Sequence, residues 1–597
     1  MPECLIIGSA LAPGGNVIQF APAGNCSAGD QQLSSSQQST TQSRVTAAER
    51  IGWAILIVVT LSVCYFSNLG VIGFVGPDEP RYAWITRDML ETGDWVTPRL
   101  YGKPWFEKPV LYYWSAALSF KLFGVSEAAA RLPSALSALF ATLALGWLAW
   151  RTCGEECARW LLLLLPTSVG MIGFSHAAST DMPFAGMLTI ALVCAAVVLG
   201  LVKDDRTPIL PKTPWLALVL FGFFLGLAVL AKGPAAVILS GGAVFSWALS
   251  SKRWRDAFRL LHPVAIASFC LTALPWYILC ARRNPEFFRV FIIEHNFKRY
   301  LTPEFQHVQP FWYYAVVLVV AFLPWTFLLL AAAAAGIGRL LEIRKLDGIT
   351  RLALCWSVFC LVFFTISKSK LPGYILPAFP PIAFLLARTL SDRAWFLRRR
   401  AGYALIASGV IFLVPVFLAS LGTNFASKSP LQPIIPIAVF GLYSLATILL
   451  GLCFLSRPQS GARFVFCASS MLAVILLMAF ASPTVKYYSL GSISGKSLAE
   501  SVKSEVPDTA KLRTIGYRRD FRYALNFYLH REIPDWTDSP VSDGYVLSNS
   551  IDCDGLKTTD DCKDTWGMRD QVPGGALLRV TPKTSLDGLG GSGRQTK

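Results

Sequence analysis

Charged side chains are scarce in this sequence: 15% of 597 residues, against about 25% in soluble domains, with a mean hydropathy of +0.49. That composition excludes a single soluble globule. Histidine is scarcer still, with five in the chain, and no CxxC or HxxxH spacing is present to back a metal site. No repeated halves are visible, and the inverted-repeat pattern of many secondary transporters is missing. The first 46 residues end in the polar tract SAGDQQLSSSQQSTTQSR and lack a basic segment leading into a short apolar run. They read as a disordered tail and not as a signal peptide.

What the chain has in abundance is apolar length. Hydrophobic residues make up 54%, and runs of about 20 residues, enough to cross the hydrocarbon core, recur along most of it. The expected fold is a polytopic α-helical membrane protein with about thirteen transmembrane helices. A formal net charge of +17 in a soluble protein points to nucleic acid. Here the basic residues sit in short loops between apolar runs, as the positive-inside bias requires, and no nucleic acid partner is expected.

The loops SKRWRDAFR (Ser251–Arg259), RLLEIRKLDGITR (Arg339–Arg351) and RTLSDRAWFLRRR (Arg388–Arg400) are the most basic, and one parity makes all three cytoplasmic. The same parity puts the N-terminus inside. It puts the Asp181 loop, the Lys232–Gly–Pro turn, Arg282–Gln309, the KSKLPGY turn and the C-terminal region outside. It requires Val110–Phe123, about 14 residues, to stay on the outer face as an interfacial or re-entrant segment. Three regions follow: a disordered cytoplasmic tail (1–46), a membrane domain (47–483) and a small α/β periplasmic domain (484–597). In the last, SLAESVKSEV and YALNFYLH read as helices, and LRTIGY, GYVLSN and ALLRVT as strands. Its only cysteines, Cys553 and Cys562, are expected to pair in an oxidising compartment.

GPDEPRYAWITRDML (Gly76–Leu90) follows the apolar run Ile51–Val75 directly. Its plainest reading is an interfacial helix. Asp78 is the N-cap, Pro80 sits in the first turn, Arg81 pairs with the acid, and Tyr82, Ile85 and Met89 form the apolar stripe. Adjacent Glu79, and WFEKPVLYYW downstream with Glu107 and Lys108, argue for a site instead. The loop RVFIIEHNFKRYLTPEFQH adds Glu294, His295, Arg299 and His307, and two histidines beside acids raise a metal site. Lys232, Arg282, Arg283, Lys298, Arg299, Lys368 and Lys370 lie on the face that the charge bias disfavours. Several cations converging there suit a phosphate-bearing substrate.

FEKPVLYYW, SFKLFGVSEAAARLPSAL, GLAVLAKGP, IIEHNFKRYLTPEFQH and SKLPGYILPAFPP occur in that order. In this the chain resembles the bacterial aminoarabinose transferases that modify lipid A. That family belongs with the protein O-mannosyltransferases among the polyprenyl-phosphate-dependent, C-type glycosyltransferases. The resemblance runs from Ile51 to Pro483. It implies a C-type architecture in the bacterial inner membrane and an undecaprenyl-phosphate-linked sugar, 4-amino-4-deoxy-L-arabinose, as donor. The acceptor it implies is lipid A or a protein, with inversion at the transferred carbon. It also implies that Asp78 is the key acid with Arg81 and Tyr82 beside it, and that Asp181 in HAASTDMP is a second. Lys108, Arg299 and Tyr374 correspond to residues that hold the carrier phosphate. Glu107 and His295 correspond to a pair for a divalent metal, zinc or magnesium. Trp105 departs from the tyrosine expected before FEKP and removes a hydroxyl.

The residue types suit that chemistry. As C1 is attacked from the face opposite the carrier, the leaving phosphate gains charge, which Lys108, Arg299 and a cation stabilise while Tyr374 adds a neutral donor. Asp78 is a base toward a hydroxyl acceptor; toward a lipid A phosphate, already an anion, it positions substrate or stabilises oxocarbenium-like charge. Protein O-mannosylation is the alternative transfer. A lipid-linked sugar transporter is the alternative to an enzyme, but transporter sites lie near the midplane and these charges gather at one face.

Overall fold

The computed structural model describes residues 47–202, 214–302, 308–340, 343–392, scattered positions between 402 and 455, and 494–539, 541, 544–548 and 576–580. Helix α1 (Ala47–Phe66) leads through a turn segment to α2 (Asp78–Thr92). A two-residue antiparallel hairpin follows, β1 (Arg99–Leu100) and β2 (Lys103–Pro104), and then α3 (Leu111–Phe123). Thirteen residues of α3 rise about 20 Å, short of the roughly 30 Å hydrocarbon core. Tyr112, Tyr113, Ala116, Ala117 and Phe120 are buried, and the helix packs on α2 and on α4 (Glu127–Cys153). At that length the helix is too short to cross alone.

Helix α4 is different in kind. Its 27 residues reach about 40 Å, and Ser126 Oγ caps its start by accepting the Ala129 N–H at 3.2 Å. Helices α5 (Glu155–Leu164) and α6 (Val169–Ser175) form a pair bent by 63°. Helix α7 (Asp181–Val198) runs down the middle of the bundle between α4 and α8 (Trp215–Lys232), which in turn packs on α10 (Pro263–Arg283). Helix α9 (Ala235–Ser251) lies against α13 (Gly348–Ile366). Helices α11 (Tyr313–Ala321) and α12 (Thr326–Leu340) are bent by 118° at their junction. A 3₁₀ turn, Pro372–Ala378, opens α14 (Phe379–Ser391). Among the described residues six helices are long and apolar enough to cross a membrane, or up to eight if each bent pair is one span. The expected count of about thirteen includes apolar runs between 393 and 493 that lie largely outside the described residues.

Beyond residue 494 the chain changes character as its hydropathy does. Helices α15 (Lys496–Glu505) and α16 (Arg519–Leu529) cover a three-stranded sheet of β3 (Leu512–Ile515), β4 (Gly544–Ser548) and β5 (Ala576–Val580). Strand β4 is central, parallel to β3 with Leu512 opposite Tyr545, and antiparallel to β5 with Gly544 opposite Val580. Leu498, Val502, Leu512, Phe521, Leu525 and Leu547 form its apolar core. Cys553 and Cys562 lie outside the described residues, as does His307.

Candidate active site

The site is built around one carboxylate. Glu107 lies in the loop that leaves the β1–β2 hairpin, with a side chain 12% exposed, and three cations from three segments reach it. Arg81 Nη2 in the first turn of α2 is 3.1 Å from Oε2, and Lys108 Nζ and Arg299 Nη1 are 3.4 and 3.2 Å from Oε1. Arg299 is delivered by a π-helical stretch, Arg289–Lys298, that ends beside it. Burial alone pushes the Glu107 carboxyl up, but Lys108, Arg81, Arg299 and His295 together hold it well below the usual carboxylate range. Burial pulls the Lys108 ammonium down to about 8 despite Glu107 beside it.

Asp78 stands next to this cluster, with Arg81 Nη2 at 2.6 Å from its Oδ1. The expected salt bridge is present, and Tyr82, Ile85 and Met89 are buried as the stripe required. The expected N-cap is not. Pro77 occupies that position with helical backbone (φ −82°, ψ −22°) and no side-chain cap is made, so Asp78 is already the first helical residue. Its carboxylate is half-exposed and turned to Arg81 instead of to the helix amides. Tyr82 is fully buried, and burial pushes its phenol well above its ordinary value, which keeps it a neutral donor.

A second pair completes the arrangement. Asp181 opens α7, Lys232 closes α8, and the ammonium of Lys232 is hydrogen-bonded to Asp181 Oδ1 while lying 4.7 Å from the Tyr374 ring centroid. Two glycines make this approach possible. Gly233 ends α8 at φ +87°, where a Cβ would meet Phe291 at 2.9 Å. A Cβ on Gly373 would sit 2.8 Å from Asp181 Oδ2, so the KLPGY turn reaches Asp181 only without a side chain there. The charge of Lys232 reaches Lys108, which joins the two groups into one region. Four cations, Arg81, Lys108, Lys232 and Arg299, here face three carboxylates, Asp78, Glu107 and Asp181. One positive charge is left over for an anionic ligand.

Other expected participants go elsewhere. Lys370 Nζ donates to the Gln309 carbonyl at 3.1 Å, and Arg283 pairs with Asp94 at 3.1 Å. His295 lies within the π-helical stretch, where burial lowers its pKa. The metal expectation meets a donor set that does not suit it. Glu107 is already shared by three cations, and among the described residues no three His, Cys, Asp or Glu side chains come together as ligands.

Two further carboxylates support the site: Glu79, which stands beside Asp78 in the sequence, and Glu532, for which local spacing gives no signal. Glu79 accepts the backbone N–H groups of Val75 at 2.8 Å and Ala178 at 2.7 Å, and is paired with Arg131 of α4. It thereby ties the start of α2 to the loop that leads into Asp181. Glu532, after α16, accepts Trp84 Nε1–H at 3.0 Å and the backbone N–H of Tyr101 at the hairpin turn.

Comparison with known proteins places this geometry. Residues 51–291 match the family model described as PMT, Dolichyl-phosphate-mannose-protein mannosyltransferase. The fold superposes on ArnT from Cupriavidus metallidurans bound to undecaprenyl phosphate with a TM-score of 0.71 at 22% identity, covering 89% of this chain and 99% of that one. The fold class so defined is that of the C-type membrane glycosyltransferases. Undecaprenyl phosphate-alpha-4-amino-4-deoxy-L-arabinose arabinosyl transferase of Serratia proteamaculans (strain 568) is 32% identical over 438 residues, 72% of this chain and 76% of that protein. The protein of the same name from Edwardsiella ictaluri (strain 93-146) is 33% identical over 419 residues, 68% and 72% of the two chains. The chain belongs to this arabinosyl transferase family. It is a multi-span membrane protein, consistent with the bacterial inner membrane.

Proposed function

We propose that this protein transfers 4-amino-4-deoxy-L-arabinose from an undecaprenyl-phosphate carrier to lipid A on the periplasmic face of the inner membrane. The observation that carries the reading is the convergence of Arg81, Lys108 and Arg299 on one buried carboxylate, with net positive charge left for the carrier phosphate. The names of the relatives supply the sugar and the carrier. Orientation follows from loop charge: N-terminus inside, C-terminal α/β domain outside.

Lys108, Arg299 and Tyr374 hold the carrier phosphate. Glu107 does not act on the substrate but keeps the three cations together when the site is empty. A lipid A phosphate oxygen attacks C1 from the side opposite the carrier, the C1–O bond to the carrier phosphate breaks, and that phosphate leaves with the bonding pair. The configuration at C1 inverts. Charge develops on the leaving phosphate, where Lys108 and Arg299 are already oriented and need no reorganisation. Asp78, half-exposed at the rim, and Asp181 face the sugar and offset the positive charge that builds at C1. Arg81 and Tyr82 fix Asp78.

Protein O-mannosyl transfer is the second reading, favoured by the family model over residues 51–291. There the acceptor is a hydroxyl, and Asp78 takes its proton as general base. Mass spectrometry of lipid A and of periplasmic proteins from a deletion strain separates the two. Loss of aminoarabinose from lipid A supports the first; loss of glycopeptides with lipid A unchanged replaces it by the second.

A further inference from the structure

Arg81 is walled by three aromatic rings from three separate parts of the chain. Its guanidinium carbon lies 5.1 Å from the ring centroid of Tyr82, 5.3 Å from that of Trp105 and 5.7 Å from that of Tyr523. Tyr82 is its neighbour on α2 and Trp105 precedes Glu107 in the same loop. Tyr523 belongs to α16 of the C-terminal domain and is 8% exposed. The contacts of Arg81 to Asp78 and Glu107 both run through Nη2, while Nε is buried with no hydrogen-bond partner among the described residues. Bonds from a single nitrogen leave the plane of the guanidinium weakly defined. Ring faces supply the missing restraint, because a guanidinium is attracted to the negative face of an aromatic ring and packs flat on it.

The same part of the C-terminal domain grips the hairpin that leads into Trp105, Glu107 and Lys108. Arg522 lies 4.6 Å from the Tyr101 ring centroid, and Asn526 Nδ2 donates to the Tyr101 hydroxyl at 3.0 Å. Glu532 takes the Tyr101 backbone N–H. Tyr101 has φ of +53°, a left-handed conformation that costs a non-glycine residue energy and persists only where its surroundings hold it. The grip comes from residues on and just after α16, close to Tyr523.

We infer that Tyr523 is a positioning residue of the transfer site, through which the C-terminal domain fixes the orientation of Arg81 toward Asp78 and Glu107. The inference rests on the transfer reading above. Tyr523 touches no reacting atom; it acts through Arg81. The C-terminal domain is then part of the catalytic apparatus and not an appendage to a membrane-embedded enzyme.

The test uses purified full-length protein with undecaprenyl-phosphate-linked aminoarabinose as donor and lipid A as acceptor. Tyr523→Leu removes the ring but keeps an apolar side chain at the buried position. It lowers kcat about tenfold, with the donor KM changed by less than about twofold. Tyr523→Phe keeps the ring and restores the rate. In an Arg81→Lys background the further loss from Tyr523→Leu shrinks below about twofold, since the flat group that the ring orients is gone. Wild-type rates in Tyr523→Leu overturn the inference. So does an equal loss in both backgrounds, or a loss that Tyr523→Phe does not restore, because each marks a role in packing alone. If Tyr523→Leu does not accumulate in the membrane, Tyr523→Met is read by the same criteria. Wild-type protein that transfers nothing overturns the transfer reading and this inference with it.

Discussion

Glu79 receives Arg131 through two parallel hydrogen bonds, Nε to Oε1 at 2.9 Å and Nη2 to Oε2 at 2.8 Å, with both side chains buried. Arg131 spends its remaining N–H groups on the backbone carbonyls of Leu69, Ile72 and Gly73, at 2.8, 2.6 and 3.1 Å. The whole turn before α2 is therefore fixed by one guanidinium. A planar fork is needed for this; a lysine ammonium offers three donors from one point. Arg131→Ala is expected to lower stability by about 3–5 kcal/mol, the usual result of leaving one partner of a buried pair uncompensated; Arg131→Lys keeps the charge but loses the fork, and lowers stability by less. Thermal unfolding in detergent measures it, and an unchanged melting temperature in Arg131→Ala contradicts the clamp.

Asp78→Asn is predicted to cut transfer by at least about a hundredfold while the protein stays folded. Asp78 makes no cap, and its side chain is 55% exposed. The lost pair with Arg81 is therefore worth at most about 1 kcal/mol of stability. Activity and melting temperature are measured on the same preparation. A variant that keeps full activity returns Asp78 to a purely structural role.

Lys108→Ala and Arg299→Ala should each weaken binding of undecaprenyl phosphate by about ten- to a hundredfold, since each removes a charge-assisted contact of about 1.5–3 kcal/mol. Glu107→Gln acts differently. It removes the charge that holds the cations together in the empty site, so it destabilises the protein more than it weakens the phosphate contact. Titration calorimetry with undecaprenyl phosphate separates the two. Equal, small effects of all three substitutions on binding count against the proposed phosphate site.

Lys108 also sets a pH dependence. Its pKa in the empty site is about 8, below the ordinary 10.5, because burial disfavours the ammonium. The charged form binds phosphate, so carrier affinity is flat below about pH 8. Above it the free site has lost its proton and the occupied site has not, and affinity falls by up to about tenfold per pH unit. Stability moves the other way. A lysine whose pKa is lowered by folding binds fewer protons in the folded state than in the unfolded one between about 8 and 10.5, so its contribution to stability improves as pH rises through that window. Carrier binding that does not weaken between pH 8 and 9.5 contradicts the role of Lys108.

Much of this was legible in the sequence, and the reasons are local. Glu107 and Lys108 are adjacent, Asp78 and Arg81 are one helical turn apart, and Arg299 stands out as a cation where loop charge disfavours it. The short length of α3 was likewise legible, from the 14-residue apolar run Val110–Phe123. The N-cap at Asp78 was misread because the backbone of Pro77 is already helical, which residue type does not reveal. Arg131 sits in the apolar run of α4, and Tyr523 and Glu532 belong to a segment that reads as an ordinary soluble domain. Each acts on residues more than fifty positions away, and nothing in local spacing encodes such a contact. The pairing of Lys232 with Asp181 was half legible: both lie on the same expected face, but only the antiparallel packing of α7 and α8 joins them.

The most direct test of the account is reconstitution of the purified protein in liposomes that contain undecaprenyl-phosphate-linked 4-amino-4-deoxy-L-arabinose and lipid A, followed by mass spectrometry of the lipids. The account predicts that lipid A gains one aminoarabinose as free undecaprenyl phosphate appears in equal amount, and that Asp78→Asn protein produces neither. Unmodified lipid A beside intact donor, from wild-type protein shown by calorimetry to bind undecaprenyl phosphate, contradicts it.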